Sequence, residues 1–257
     1  MKIIADTHVH LYPCYDYSLA LKNLALNLSS LCPDDTVKAA FLTDRFQYRF
    51  HEDFLMGKIK TEDQGLTLTL GPDMKTLILK TEKTQVYLFP GYQINCAEKI
   101  ELIGMGLLTP IHDGLSLEET LKEIRSQRAI PILPWGAGKW LFKRGKIIER
   151  LITLAKDYSL LFADTFMRPA LMPDSRIIRQ IRTVQKNLLA GSDPLPMKGE
   201  EKILGRYSTL FEGEFDPLNP LFSMQSILLS GFQPFIPLGK RASLPEFTLR
   251  HFRYHCR

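Results

Sequence analysis

The stretch SLEETLKEIRSQRAIPILPW, residues 116 to 135, contains the pattern that indicates the fold class most clearly. Ser116 followed three residues later by Glu119 forms a capping box, which predicts a helix that begins near Leu117. The segment AIPILPW, residues 129 to 135, is almost wholly apolar, as expected of a strand covered on both faces. A helix that leads into a buried strand is the repeating unit of parallel α/β folds.

The same alternation continues on both sides of this stretch. From 116 to 193 the predicted order is helix, strand, helix, strand, helix, strand, and units near the N-terminus bring the number to about seven. We therefore predict an α/β fold, a distorted (β/α) TIM-like barrel of about seven strand–helix units. The alternating run LTLTLGPDMKTLILK, residues 66 to 80, predicts a hairpin and places a β-rich insertion near 66–106.

The N-terminal strand ends in the segment DTHVH, residues 6 to 10. In a regular strand residues i, i+2 and i+4 share a face, which predicts that Asp6, His8 and His10 point the same way. Two neutral imidazoles with a common direction can chelate one divalent ion. A pair of histidines hydrogen-bonded at a strand end is the simpler alternative, and this stretch alone leaves both open.

Polar residues recur where the predicted parallel strands end. In barrels the C-terminal strand ends and the loops after them build the active site, so we expect these side chains to converge. They are Asp6, His8, His10, Thr43, Asp44, Gln93, Trp135, Asp164, Ser192 and Asp193.

Four segments, taken in order, resemble the PHP family (polymerase and histidinol phosphatase domain). They are ADTHVHLYP at 5–13, FLTDR at 41–45, FPGYQIN at 89–95 and LLAGSD at 188–193. The resemblance implies a metal-dependent hydrolase on a distorted barrel, with up to three divalent ions and phosphate esters as common substrates. By motif match His8, His10 and Asp193 would be metal ligands.

Several metal-ligand positions of that family are replaced here. Arg45 follows Thr-Asp where the family has a histidine, Gln93 stands in place of a glutamate, and Trp135 replaces a histidine. An arginine cannot ligate a metal, and a glutamine brings no negative charge. We therefore predict fewer ions than three: one Zn, Mn or Fe ion on the two histidines and Asp193, or no metal, with Arg45 filling the space.

The segment PWGAGKWLFKRGK, residues 134 to 146, combines both tryptophans of the chain with four basic residues between a strand and a helix. Its glycines free backbone N–H groups, and a helix N-terminus favours anions. We predict that Lys139 clamps an anion, with substrate contacts from Trp135, Gln93, Arg168 and Arg206. A structural lid with packed tryptophans and solvated lysines is the alternative.

These residues favour a divergent PHP-like hydrolase that acts on a phosphorylated or otherwise anionic small molecule through a metal-activated water. Asp164 or Asp44 would serve as general base, and Lys139 or Arg45 would neutralise developing negative charge. The alternative is a catalytically degenerate barrel that binds an anionic ligand or a protein partner.

Composition sets the remaining expectations. The chain has 257 residues, 45% of them hydrophobic, and its four cysteines are scattered, which disfavours a disulfide framework. We expect a cytoplasmic protein without a membrane partner, because no apolar run approaches the length of a bilayer span.

The last residues carry most of the formal net charge of +5. We predict a barrel domain at 1–239 and a basic tail at 240–257 that packs on it. The tail interleaves aromatic and basic residues in LRHFRYHCR, residues 249 to 257, a pattern seen in nucleic-acid binding. Packing of the aromatic residues with solvated arginines is the preferred explanation, so nucleic acid is not the expected partner.

Overall fold

The computed structural model describes residues 1–59, 65–185, 187–230 and 234–255, and its strands form two sheets. The first sheet has seven strands, in spatial order β12 (Ile236–Gly239), β11 (Tyr207–Glu212), β1 (Lys2–Val9), β2 (Val37–Leu42), β5 (Gln85–Phe89), β4 (Leu77–Thr81) and β3 (Leu66–Leu70). The second has five, in the order β10 (Leu189–Gly191), β9 (Leu161–Thr165), β8 (Ile130–Pro134), β7 (Glu101–Met105) and β6 (Gly91–Asn95).

Seven α-helices lie in the described part of the chain: α1 (Tyr17–Leu31), α2 (Phe50–Leu55), α3 (Leu117–Ser126), α4 (Phe142–Tyr158), α5 (Arg176–Gln185), α6 (Pro220–Leu229) and α7 (Leu244–His255). The predicted capping box is confirmed, since Ser116 and Glu119 bond each other's backbone N–H groups at the start of α3. The pattern NPLFSMQSILLSG, residues 219 to 231, predicts a helix that ends at Gly231, and Gly231 lies outside the described residues.

An apolar layer contains side chains from both sheets. Ile3 of β1 and Phe41 of β2 pack in it together with Ile103 of β7 and Ile132 of β8. A second cluster includes α1 and strands of the seven-stranded sheet, and a third includes α3, α4 and α5 with strands of the five-stranded sheet. The sheets are therefore covered on both faces over most of their area, which explains the near-continuous apolar strands.

The predicted TIM-like barrel is wrong, because the strands form two sheets that do not close on each other. The edges of the strands give the reason. β1 pairs with β2 on one side and with antiparallel β11 on the other, and β2 gives its second edge to β5. Neither strand has an edge left for a full ladder to the other sheet. Local backbone bonds join the sheets instead, from Asp193 N–H to His8 O (2.9 Å) and from Asp44 N–H to Gly91 O (3.0 Å).

The β-rich segment 66–106 is likewise not an insertion. Its hairpin is confirmed, since β3 and β4 pair antiparallel from Leu66↔Thr81 to Leu70↔Leu77. However, β5 pairs in parallel with β2 at the centre of the first sheet, and β6 and β7 form one end of the second. Strands β11 and β12, which the sequence patterns did not predict, extend the first sheet beyond β1.

The C-terminal segment forms α7, apart from residues 256 and 257, which lie outside the described part. Arg250 of α7 is buried and donates to both carboxylate oxygens of Glu200. The division of the chain at residue 239 stays a prediction. None of the described helices has the length and apolar character of a membrane span.

Candidate metal centre

A bulge in β1 decides which way its polar side chains point. Asp6 lies opposite Ala40 of β2, whereas Val9 lies opposite Leu42, so β1 has one extra residue over this length. As a result Ile4 and Val9 pack in the same apolar cluster, although an odd spacing in a regular strand places side chains on opposite faces. The prediction that Asp6 shares a face with the two histidines is therefore wrong.

Asp6 instead fastens the backbone around the centre. Its buried carboxylate accepts hydrogen bonds from three backbone N–H groups, those of Ser192 (2.8 Å), Gly205 (2.7 Å) and His8 (3.2 Å). Burial raises the pKa of Asp6 to about 6, against the opposing effect of these hydrogen bonds. The side chain thus ties β1 to the residues that follow β10, which holds the segments that carry His8 and Asp193 next to each other.

The two histidines meet Asp193 at the end of β10. His8 Nε2 lies 3.1 Å from His10 Nε2 and 3.4 Å from Asp193 Oδ1, and His10 Nε2 lies 3.9 Å from the same oxygen. Ligands of one tetrahedral zinc ion stand roughly 3.3 Å apart, given metal–ligand bonds of about 2.0–2.1 Å. Both histidines are 1% exposed, whereas the Asp193 side chain is 26% exposed. The donor set therefore fits one divalent ion that is reachable from the Asp193 side.

Gln93 is the fourth group of this cluster. Its amide Oε1 lies 2.9 Å from His8 Nε2 and 3.1 Å from His10 Nε2. The two ends of an amide differ in chemistry: the oxygen would complete a cation site, whereas the NH2 group would donate to both ring nitrogens. The position thus serves either a metal-bound or a metal-free centre, and it brings no negative charge to either.

The proton on His10 is placed by a neighbour. The Thr43 hydroxyl donates to the backbone oxygen of Val9 (3.0 Å), so it accepts from His10 Nδ1–H (3.2 Å) and leaves the Nε2 lone pair facing the cluster. Burial, with smaller effects of His8 and Arg45, lowers the pKa of His10 well below its usual value. His10 is therefore neutral near pH 7, the form in which imidazole binds metals. The Nδ1 of His8 has no such partner among the described residues.

Two features of the segment GSD bring Asp193 to the histidines. A Cβ at Gly191 would lie 2.5 Å from His8 Cβ and 2.6 Å from His8 N, so β10 approaches β1 this closely only with glycine there. Asp193 has a φ of 45°, in the left-handed region that aspartate tolerates better than most residues. The motif therefore supplies both the close approach and the sharp turn of the backbone that follows it.

Lys139 and Arg45, the predicted cationic groups, are each paired. Lys139 forms an ion pair with Glu101, and both charges act on Asp193. Arg45 Nη2 lies 3.9 Å from Asp113 Oδ2, and its charge acts on His10. Both cations therefore belong to the surroundings of the centre, with neither contacting the imidazoles directly.

The two residues predicted to act as general bases, Asp44 and Asp164, are held by different partners. Asp44 accepts from the backbone N–H of His51 (2.9 Å) at the first turn of α2, and burial raises its pKa to about 7. Asp164 is bound by Arg168 through two hydrogen bonds of 2.8 and 2.7 Å and by the Tyr207 hydroxyl (3.1 Å). Their roles as general bases stay predictions.

Two other predicted substrate contacts lie outside the cluster. Trp135 is 8% exposed and packs in the apolar cluster around the five-stranded sheet. Arg206 lies over the Phe166 ring at 5.5 Å and within 3.7 Å of Glu246 on α7. Sequence reasoning missed Tyr12, whose ring stacks on His10 with centroids 5.0 Å apart. Its position two residues after His10 continues the alternation, which is the signal that could have found it.

No protein-family model and no curated protein matches this chain in sequence. Solved structures do match in fold. PsfC from Pseudomonas syringae aligns over 99% of this chain and 98% of its own, with a TM-score of 0.59 and 14% identity. The lesion-specific endonuclease EndoQ from Pyrococcus furiosus aligns over 91% of this chain and 58% of its own, with a TM-score of 0.52 and 13% identity.

A two-domain protein from Bacteroides vulgatus, described as containing a predicted PHP-like metal-dependent phosphoesterase, aligns over 97% of this chain and 70% of its own. Its TM-score is 0.51 at 14% identity. At these identities the likeness shows the fold alone. The chain therefore has a PHP-like fold.

Proposed function

We propose that this chain is a divergent metal-dependent hydrolase that acts on phosphoesters or other anionic substrates. The observation that carries the proposal is the convergence of His8, His10 and Asp193, which lie far apart in the chain but each offer a ligand atom within 4.8 Å of the others. The PHP-like fold of the solved neighbours supports the same class of chemistry. The number of ions in the proposal is one, because Gln93 and Arg45 stand where further ligands would be needed.

A divalent ion held by the two histidines and Asp193 would supply a Lewis acid and lower the pKa of a bound water. The chain's own residues orient these ligands: Thr43 fixes the tautomer of His10, and Asp6 fixes the backbone beneath them. Lys139, 35% exposed and electrostatically coupled to Asp193, is placed to attract an anionic substrate. Asp164 has no role at this centre in our proposal, since Arg168 and Tyr207 already occupy its oxygens.

Elemental analysis of the protein purified without chelators tests the metal. We expect roughly one equivalent of Zn, Mn or Fe, lost in His8→Ala. His112→Ala is the matched control, because His112 is exposed and its ring packs at a tilt against Phe46 instead of entering the cluster. Less than about a tenth of an equivalent in the wild type, or equal metal in both variants, contradicts the proposal.

A substrate panel tests the chemistry. One arm holds small phosphomonoesters and the other holds DNA duplexes with an abasic site, because a solved neighbour is an endonuclease bound to such a duplex. Turnover of either class supports the hydrolase if the wild type gains activity on addition of metal and His8→Ala has none. Metal-loaded protein that turns over neither class contradicts it.

A metal-free binding protein is the second candidate, and Gln93 favours it. With its NH2 group turned towards the two imidazoles, the amide would satisfy both ring nitrogens without any ion. This candidate predicts that chelators leave the melting temperature unchanged. A chelator-induced fall in melting temperature, reversed by one divalent metal, rejects it.

A further inference from the structure

A second polar cavity, of about 240 Å³, opens beside β9 and β12. Its lining includes Arg168, Arg182, Arg241, Asp164 and Tyr207. None of the lining residues belongs to the cluster of His8, His10 and Asp193. The cavity is thus a separate place in the molecule, with its own charged groups.

Positive charge exceeds negative charge in this cavity. Three arginines line it against one carboxylate, that of Asp164. Arg168, 3% exposed, is committed to Asp164 through a two-bonded ion pair. Asp174 bridges Arg168 and Arg182, with distances of 3.1 and 2.9 Å. Even with Asp174 included, the arginines outnumber the carboxylates, and Arg241 is the one that neither carboxylate holds by a hydrogen bond.

Arg241 shows most directly that an acceptor is needed. Its Nη2 donates to the backbone oxygen of Ala170 (3.0 Å). Its Nη1 is buried, lies 4.0 Å from Asp164 Oδ2 and has no hydrogen-bond acceptor among the described residues. That distance is too long for a hydrogen bond. A buried guanidinium nitrogen without an acceptor is costly, so such a group in a charged cavity points to a ligand oxygen.

We propose that this cavity binds a small anion of the phosphate class, held by Arg241 and Arg182. The planar guanidinium fork matches the oxygens of a phosphate group. The three arginines exceed the carboxylates of Asp164 and Asp174 by one positive charge, which an anion would balance. Arg168 is locked by Asp164 and forms the rigid cationic wall behind the ligand. Its lining shares no residue with the proposed hydrolase centre, so the two sites can be tested separately.

Calorimetric titration of the full chain with inorganic phosphate tests this site, in buffer whose ionic strength is matched with potassium chloride. We expect binding in the wild type and in His8→Ala, which removes a ligand of the metal centre. Arg241→Gln should weaken the affinity by about tenfold or more. Arg182→Gln should weaken it as well, and it guards against misfolding of the first variant because the Arg182 side chain is 46% exposed.

The matched control is Arg179→Gln, which removes one positive charge from an exposed position on the same helix, α5, outside the cavity lining. It should bind phosphate as the wild type does. Absence of phosphate binding in the wild type, or equal affinity in Arg241→Gln, Arg182→Gln and the control, overturns the proposal. Binding that disappears in His8→Ala also overturns it, because the phosphate would then occupy the metal centre.

Discussion

Position 93 holds an amide between two imidazole nitrogens, at a place where the resembling family has a carboxylate. Gln93 is 6% exposed, so its amide group is buried together with the two imidazoles. An amide oxygen is a weaker ligand than a carboxylate because it brings no charge to offset that of a divalent ion. The residue therefore sets how firmly the proposed centre holds its metal.

Gln93→Glu should strengthen metal binding by about tenfold or more, since a carboxylate oxygen would replace the amide oxygen beside both imidazoles. Competition with a fluorescent chelator measures the change in affinity. Gln127→Glu is the control, because the Gln127 side chain lies at the end of α3 and contacts Glu123 there. Equal affinities for the two variants would show that Gln93 does not face the metal.

At this scale the sequence predicted the residues of the centre better than their orientation. The motifs HxH and GSD marked His8, His10 and Asp193, which the structure brings together. The bulge that turns Asp6 away from them leaves no sign in the alternation, because a bulge is an extra residue that the partner strand defines. Tyr12 was missed because an aromatic residue after a strand is usually core.

The junction of strands β1 and β10 depends on a glycine. Gly191 allows the two strands to approach, since nothing larger than hydrogen fits against His8. Gly191→Ala should therefore cost about 1–3 kcal/mol of unfolding free energy and also lower the metal content, because His8 must shift. Urea unfolding and elemental analysis measure the two effects.

Gly57→Ala provides the comparison for Gly191→Ala. Its added Cβ meets nothing within 4 Å, although its φ of 69° carries a backbone cost. It should lower stability without changing metal content. A Gly191→Ala variant with full metal content would contradict the close packing described at this junction.

The buried carboxylate of Asp44, which binds the first turn of helix α2, makes the stability of the protein depend on pH. Asp44 accepts from the N–H of His51 and its other oxygen has no partner among the described residues, so burial raises its pKa from 3.8 to about 7. A raised pKa means that the folded state binds the proton more tightly than the unfolded state. Its contribution to stability is present below pH 3.8 and is lost as the pH rises towards about 7.

Asp44→Asn should remove this loss. Relative to the variant, the wild type should lose up to about 1.4 kcal/mol of unfolding free energy per pH unit between pH 4 and 7, with no further change above. Urea unfolding at several pH values measures the difference. Asp35→Asn, at an exposed position between α1 and β2, is the control. A pH-independent difference for Asp44→Asn would contradict the account.

Elements with local signals were predictable, and those that depend on distant partners were not. The capping box of α3 and the hairpin of β3 and β4 were predicted from neighbouring residues. Strands β11 and β12 were missed, because their place beside β1 follows from tertiary pairing and not from a strong period. The same unrecognised pairing made the open sheets look like a closed barrel.

At the scale of the whole molecule, the two sheets bring together residues nearly two hundred positions apart. Backbone bonds from Asp193 to His8 and from Asp44 to Gly91 join the sheets at the ends of β1 and β2. The proposed centre lies at this junction, with two ligands from the seven-stranded sheet and the third from the segment after β10. Of the strand ends that were expected to converge, His8, His10, Gln93 and Asp193 meet, whereas Asp6, Trp135 and Asp164 have other partners.

The basic tail at residues 240–257 carries less unpaired positive charge than its sequence suggests. Arg250, counted among the charges of a solvated tail, is buried in an ion pair with Glu200. One of its cations is therefore already neutralised within the protein. Salt-dependent nucleic-acid binding by residues 240–257 stays a prediction, with fewer charges available to it than the sequence indicated.

Anomalous diffraction from crystals grown with zinc would locate an ion held by the two histidines and Asp193. We predict one strong anomalous peak about 2.0–2.2 Å from His8 Nε2, His10 Nε2 and an oxygen of Asp193. Crystals that show no peak among these three side chains, or a peak that contacts only one of them, would contradict it.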